Sequence, residues 1–184
     1  MSAPTRVLAG LSVRQYLDAV GSQAPAPGAG SVAALTAALA AGLNEKVARH
    51  AKEAPLRRLA STMARARQRL LKLVDEDARS YAAVVAARKA VLAVRRRAFI
   101  AATKIPLTIC ADSAMIGDVA NRLALHVRGS IKSDAVAAEA LAGAALEAAR
   151  LMVEANLPFV DDAEFVKSVR KTLEQYESAC CSHS

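Results

Sequence analysis

From Leu56 onward, apolar side chains return every three or four residues, at Leu56, Leu59, Met63, Ala66, Leu70, Leu73, Tyr81 and Val84. That spacing is one face of a long helix. Arg58, Arg65, Arg67, Arg69 and Arg79 fall on other sides and are expected to face water. Pro55 fits the first residue of this helix, which is expected to run past Ala87, with a break near Arg95-Arg96-Arg97. Upstream, Val13, Tyr16, Leu17 and Val20 share a face of a short helix over 12–20, with Ser12 at its N-cap. The stretch Ala24-Pro25-Ala26-Pro27-Gly28-Ala29-Gly30-Ser31 reads as non-helical because of its Pro and Gly. Ser31 then caps a helix over 32–52 that is almost entirely small or apolar through Gly42, so it needs neighbours on most sides. A further helical stretch meets Pro106, where a kink or restart is expected, and stops at Gly129, a left-handed cap. Ser133-Asp134 opens an Ala-rich helix that Asn156-Leu157-Pro158 ends. Asp161 and Glu164 have capping-box spacing for a last helix over 162–178. Together these elements predict an all-α, up-and-down bundle of about six helices in a single domain, 1–184, with 179–184 a flexible tail.

Composition sharpens this picture. Aromatics make up only 3% of the 184 residues, and there is no Trp. Small helix formers with few turn residues favour closely packed helices over sheets. Formal charge is +8, from 25 Lys and Arg against 17 Asp and Glu, which favours acidic partners. Nucleic acid is not expected, because stacking platforms are scarce and that reading would rest on charge alone. Cys110, Cys180 and Cys181 form no C-x-x-C pair and no even framework, which fits a reducing compartment. The opening MSAPTRVLAGLSVRQ has no apolar stretch of signal-peptide length, and no uninterrupted apolar run reaches ~18 residues. A cytoplasmic protein that does not cross a membrane is therefore expected. His50, His126 and His183 are scattered and the Cys spacing suits no common zinc site, so no metal is expected.

Among candidate chemical groups Asp77 stands out. At ~100° per residue, Leu70, Leu73, Tyr81 and Val84 lie within ~40° of it, which puts a carboxylate in the middle of an apolar stripe. Asp75 is expected to point nearly opposite, towards solvent. A carboxylate between helices must be paired, hydrogen-bonded or protonated, and desolvation can raise its pKa into the range useful for acid–base work. A structural role, bonded to a helix terminus or an Arg, fits the same pattern. The loop from Pro25 to Ser31 leads into a helix N-terminus, where free N–H groups favour an anion. It lacks phosphate-loop spacing and has no Lys at the helix start, so it reads either as a capped turn for close helix packing or as a ligand loop. Gly129–Asp134 has a similar design, with capping as the default role of Ser133 and Asp134.

At these residues the chain resembles the cyclodeaminase/cyclohydrolase family, comprising the C-terminal domain of formiminotransferase-cyclodeaminase and the stand-alone methenyltetrahydrofolate cyclohydrolases. Pro25 to Ala34 resembles the family's P-x-P-G-G-G-S-V-A-A loop, and Asp75-Glu76-Asp77-Ala78-Arg79-Ser80-Tyr81 its D-x-D-A-x-A-[YF] segment. Ile105-Pro106-Leu107, Ser133-Asp134-Ala135, Asn156-Leu157 and Asp162-Ala163-Glu164-Phe165 match its later motifs in order. The resemblance implies a helical homodimer acting on a tetrahydrofolate derivative as substrate, without a prosthetic group. It assigns acid–base catalysis to Asp77. It implies a folate site lined by Pro27, Gly28, Ala29, Gly30, Ser31, Tyr81, Ser133 and Asp134, and basic residues suited to a polyglutamylated folate. The chain departs from the family pattern in carrying Ala29 for the middle glycine and Ser130 for an asparagine. Its segment 87–97 is shortened and lacks the L-P-K run, with Lys89 the nearest stand-in. Three readings follow: an active folate-ring enzyme, a member that binds folate or another anion without turnover, and a basic helical interaction protein.

Overall fold

The computed structural model describes residues 7–181. Six α-helices follow one another: α1 Val13–Val20, α2 Ala29–His50, α3 Ala54–Ala87, α4 Leu92–His126, α5 Ile131–Asn156 and α6 Ala163–Cys181. Single 3-10 turns, Leu8–Gly10 and Leu157–Phe159, precede α1 and α6, and no strand occurs among the described residues. The fold is the all-α bundle the periodicity predicts. Short connections make α2 to α5 run alternately up and down, and α2 packs against α3, α4 and α5. Its buried face is a run of alanines, Ala33, Ala34, Ala37, Ala38, Ala40 and Ala41, whose small side chains let the neighbouring helices come close. Val32 and Leu39, at 36% and 56% exposed, show that its own chain does not cover α2 on every side.

The α3 stripe is buried at Leu56, Met63, Ala66, Leu70, Leu73 and Val84, whereas Tyr81 is 43% exposed at the edge of a cleft. Ser12 caps α1 in a capping box: its Oγ accepts from the Gln15 N–H at 3.3 Å, and Gln15 Oε1 accepts from the Ser12 N–H at 3.1 Å.

Several boundaries differ from expectation. Helix α2 begins at Ala29 with Gly28 as its N-cap, so Ser31 lies inside the first turn and does not cap it. First-turn N–H groups have no intrahelical acceptor, so a Gly-rich start just after Pro27 costs the helix little. Ala54, ahead of Pro55, opens α3. The break between α3 and α4 falls at 88–91, and Arg95-Arg96-Arg97 is helical, as arginine's propensity allows. Helix α4 does not restart at Pro106 but continues through it. Ser130 takes the N-cap position of α5, and α5 runs to Asn156. Asp162, rather than Asp161, caps α6 by accepting the Phe165 N–H at 3.0 Å. Helix α6 extends to Cys181, three residues past the expected end; 182–184, the rest of the expected tail, lie outside the described residues.

Two of the expected surface arginines, while still reaching water, are also ion-pair partners. Arg67 Nε donates to Glu45 Oε2 at 3.0 Å, and Arg69 Nε to the buried Asp112 Oδ2 at 2.8 Å. By length and composition alone, α4 could cross a bilayer, with a mean hydropathy of 1.4 over its most apolar window. In the bundle it packs against α2, α3 and α5 and carries the Arg69-paired Asp112, as a core helix does.

The up-and-down order gives the bundle two chemically different ends. At one, the end of α2, start of α3, end of α4 and start of α5 enclose a small core of Val47, Leu56, Leu123 and Ala135. At the other meet the start of α2, the end of α3, the start of α4 and the end of α5, and there the cleft opens.

Candidate active site

The cleft has a volume of about 970 Å³, the size of a pocket for a small organic ligand. Its floor is the contact between α3 and the first turn of α2. Asp77 projects from α3 onto that turn so closely that a Cβ built on Gly30 would stand 2.1 Å from Asp77 Oδ1. Gly30 is therefore required by close approach. A Cβ on Gly28 would meet nothing within 4 Å. The Ser31 hydroxyl lies 2.8 Å from the Val74 carbonyl and 3.2 Å from Asp77 Oδ2, placed to donate to either. The positive end of the α2 dipole is thus taken by the chain's own carboxylate. The anion that the glycine loop attracts is, first of all, Asp77.

Opposing forces act on this carboxyl. Burial raises its pKa, while the hydroxyl and main-chain amide of Ser31 pull it down, and burial prevails. Among the described residues no Lys or Arg forms an ion pair with it. Tyr16 is a neighbour the sequence did not single out. It is 6% exposed, its hydroxyl has no hydrogen-bond partner, and its pKa is pushed up to about 12 by burial and then by the fields of Asp77 and Asp75. It stays a protonated donor at neutral pH.

Asp75 does not face solvent as expected. Its Oδ1 accepts the N–H of Leu8, and of Ala9 at 3.4 Å, holding the N-terminal turn across the end of the bundle. The two acids of the Asp75-Glu76-Asp77 segment thus have separate duties, one architectural and one facing the cleft. Cys110 is buried, and burial pushes its thiol up to about 12, which suits a core residue rather than a nucleophile.

Apolar side chains share the walls with polar ones. Phe99 of α4 and Phe159 stack with centroids 5.1 Å apart and planes at 22°, beside Val84 and Pro106. Flat rings find contact there. Arg88 and Arg95, from either side of the α3–α4 turn, line the mouth. Of the sequence-predicted residues, the structure brings Gly28, Ala29, Gly30, Asp77 and Tyr81 to the cleft. Pro27 is buried behind it, and Ser31 reaches it through Asp77. Ser133 and Asp134 lie elsewhere. The Ser133 hydroxyl donates to the Ser130 carbonyl at 2.6 Å, and Asp134 pairs with Lys46 at 2.7 Å. Lys46 follows Gly30 by 16 residues, or roughly 24 Å along α2 at 1.5 Å per residue.

The helical-bundle architecture is that of a cyclodeaminase. The crystal structure of formiminotetrahydrofolate cyclodeaminase from Thermotoga maritima superposes with a TM-score of 0.89 over 94% of this chain and 91% of its own, at 24% identity, a likeness of fold. The sequence model of the formiminotransferase-cyclodeaminase family matches residues 12–175, and the chain belongs to that family. Among curated relatives, methenyltetrahydrofolate cyclohydrolase of Methylorubrum extorquens is 29% identical over 89% of this chain and 87% of its own length. The formimidoyltransferase-cyclodeaminase of Sus scrofa is 32% identical over 94% of this chain, which spans only 35% of that larger protein.

Proposed function

We propose that this chain is an enzyme of folate one-carbon metabolism, a methenyltetrahydrofolate cyclohydrolase or a formiminotetrahydrofolate cyclodeaminase, with Asp77 as its acid–base group. The observation that carries this reading is a desolvated carboxylate with no ion-pair partner among the described residues, held by the first turn of α2 and opening onto a cleft with aromatic walls. Relatives bearing either name match nearly end to end, and the cyclohydrolase reaction illustrates the chemistry. In it, water adds to the bridging methenyl carbon while Asp77 takes up a proton. Asp77 then returns that proton to the ring nitrogen as the carbon–nitrogen bond opens, and the hydroxyl proton is released to solvent as its oxygen becomes the formyl carbonyl. Such chemistry calls for a positioned ring and a proton shuttle, so the tetrahydrofolate derivative is the substrate and no prosthetic group or metal is assigned.

In this reading Gly28, Ala29, Gly30 and Tyr81 border the ring, while Pro27 and Ser31 set the loop and the carboxylate. Arg88 and Arg95 suit the carboxylates of a glutamate or polyglutamate tail. We assign the protein to the cytoplasm as a homodimer, with the exposed Val32 and Leu39 of α2 as part of the covered face. Ser133 and Asp134, distant from the cleft of their own chain, join a folate site from the second copy. A concentration-independent mass of 19.2 kDa in sedimentation would remove the dimer and those two assignments together. The deciding assay follows the loss of methenyltetrahydrofolate absorbance above its spontaneous hydrolysis. Tight tetrahydrofolate binding without turnover would support the binding-only reading, and no binding the interaction-protein reading.

A further inference from the structure

Proline at position 106, inside α4, has no N–H to close the helical bond to the carbonyl four residues back, that of Ala102. A carbonyl so deprived requires another donor. Asn156, the last residue of α5, supplies it: its Nδ2 donates to the Ala102 oxygen at 3.2 Å. The direction of the amide follows from the partner. A carbonyl only accepts, so the NH2 must face it, and Oδ1 is the acceptor left over. Ala102, Pro106 and Asn156 all line the cleft that Asp77 enters.

We propose that Asn156 is a substrate-binding residue whose Oδ1 accepts an N–H of the bound heterocycle, and that Pro106 holds the amide in this sense by leaving the Ala102 carbonyl to Nδ2. The missing N–H in α4 becomes an orienting device at the end of α5. The ligand class it fits is a nitrogen ring bearing ring or exocyclic N–H donors, as a pterin does; this identification rests on the folate reading above. Asn156 supplies an uncharged acceptor, whereas Asp77 changes charge, so one fixes the ring and the other moves the proton.

Four proteins test this: wild type, Pro106→Ala, Asn156→Ala and the double variant, each measured for thermal midpoint and for KM and kcat with methenyltetrahydrofolate. Asn156→Ala leaves the Ala102 carbonyl without its donor and should lower the midpoint by about 2–10 °C. Pro106→Ala restores the main-chain N–H but removes part of a fully buried ring, so recovery is judged against Pro106→Ala itself, and the double variant should lie close to it. KM should rise about three- to tenfold in all three variants, with kcat within about twofold, as for one lost hydrogen bond. The decisive signature is that the double variant rises no further than Asn156→Ala, because Pro106 also lines the cleft and a loss of its own contact would add to the effect. Wild-type KM in Pro106→Ala and in the double variant would overturn the binding role. A double variant with no thermal recovery would overturn the lock, and this readout uses no substrate. A wild type that neither binds nor turns over the folate would instead overturn the folate reading, and with it the ligand class named here.

Discussion

The two ends of α2 each meet a carboxylate, and they treat it in opposite ways. At the C-terminal end Lys46 holds Asp134 at 2.7 Å, with the two side chains 57% and 27% exposed. At the N-terminal end Asp77 meets a hydroxyl, a main-chain amide and the flat face of Gly30, with no cation paired to it among the described residues. An exposed ion pair is worth ~0–1 kcal/mol, and it occupies its carboxylate with a cation. A desolvated carboxylate balanced only by dipoles keeps its proton equilibrium within reach. The same residue type is settled at one end of a helix and chemically available at the other, and only the available one faces the cleft.

The largest effect should come from removing the available charge. Asp77→Asn is expected to lower turnover by ~10²–10⁴ with little change in folate affinity, in a steady-state assay of the folded protein. Its stability at neutral pH should hold. A carboxyl whose pKa is raised by folding favours the native state below its unfolded pKa and loses that contribution as pH rises through the folded value. A marked fall in thermal midpoint with intact specific activity would make Asp77 structural. Asp75→Asn, which weakens only the hold on Leu8 and Ala9, should cost much less activity.

Next in size is Gly30→Ala. The new methyl has to displace the carboxylate, and a misplacement of about 1 Å costs on the order of 10² in rate. Gly28→Ala, with open space around its Cβ, should stay within about twofold. Equal losses from both would show that loop flexibility, not the seat of Asp77, limits the reaction.

The settled end gives the third test. If the second copy supplies Asp134, Asp134→Asn alone should be impaired. Exchanging its subunits with those of Asp77→Asn should then restore activity at about a quarter of the sites, as random pairing of two-fold-related copies requires. Full activity of Asp134→Asn by itself would confine that residue to its pair with Lys46.

The smallest expected change is in a pH profile. Activity that needs the Asp77 carboxylate falls as pH drops through its pKa. Ser31→Ala removes an influence that lowers that value, so the acid limb of kcat/KM should move upward. An unmoved limb would assign it to another group.

Asp77 was legible in the sequence because helical periodicity is a local rule, and one charged residue inside an apolar stripe violates it visibly. The bundle was legible for the same reason. What escaped depends on distant partners. Nothing near Asp75 announces that its acceptors are used by Leu8 and Ala9, some 67 and 66 residues earlier, and Arg69 and Asp112 become a pair only when α3 lies against α4. The turn at 88–91 carries neither Pro nor Gly, so it had no punctuation to mark it. Pro106 offered punctuation that the fold ignores, because Asn156 takes over the bond. Ser31 was read as a cap because helix-cap statistics favour serine, whereas its hydroxyl serves α3.

The contact between Gly30 and Asp77 also bears on how related chains should be recognised. Of the three small residues at 28–30, one has open space around its Cβ, one already carries a methyl group as Ala29, and one could take a methyl only by displacing the Asp77 carboxylate. A search pattern that demands three consecutive glycines would discard this chain for a difference the structure tolerates. A pattern that instead requires glycine only at the third position, serine next and aspartate 47 residues after that glycine would keep it, and would spend its selectivity where the atoms leave no choice.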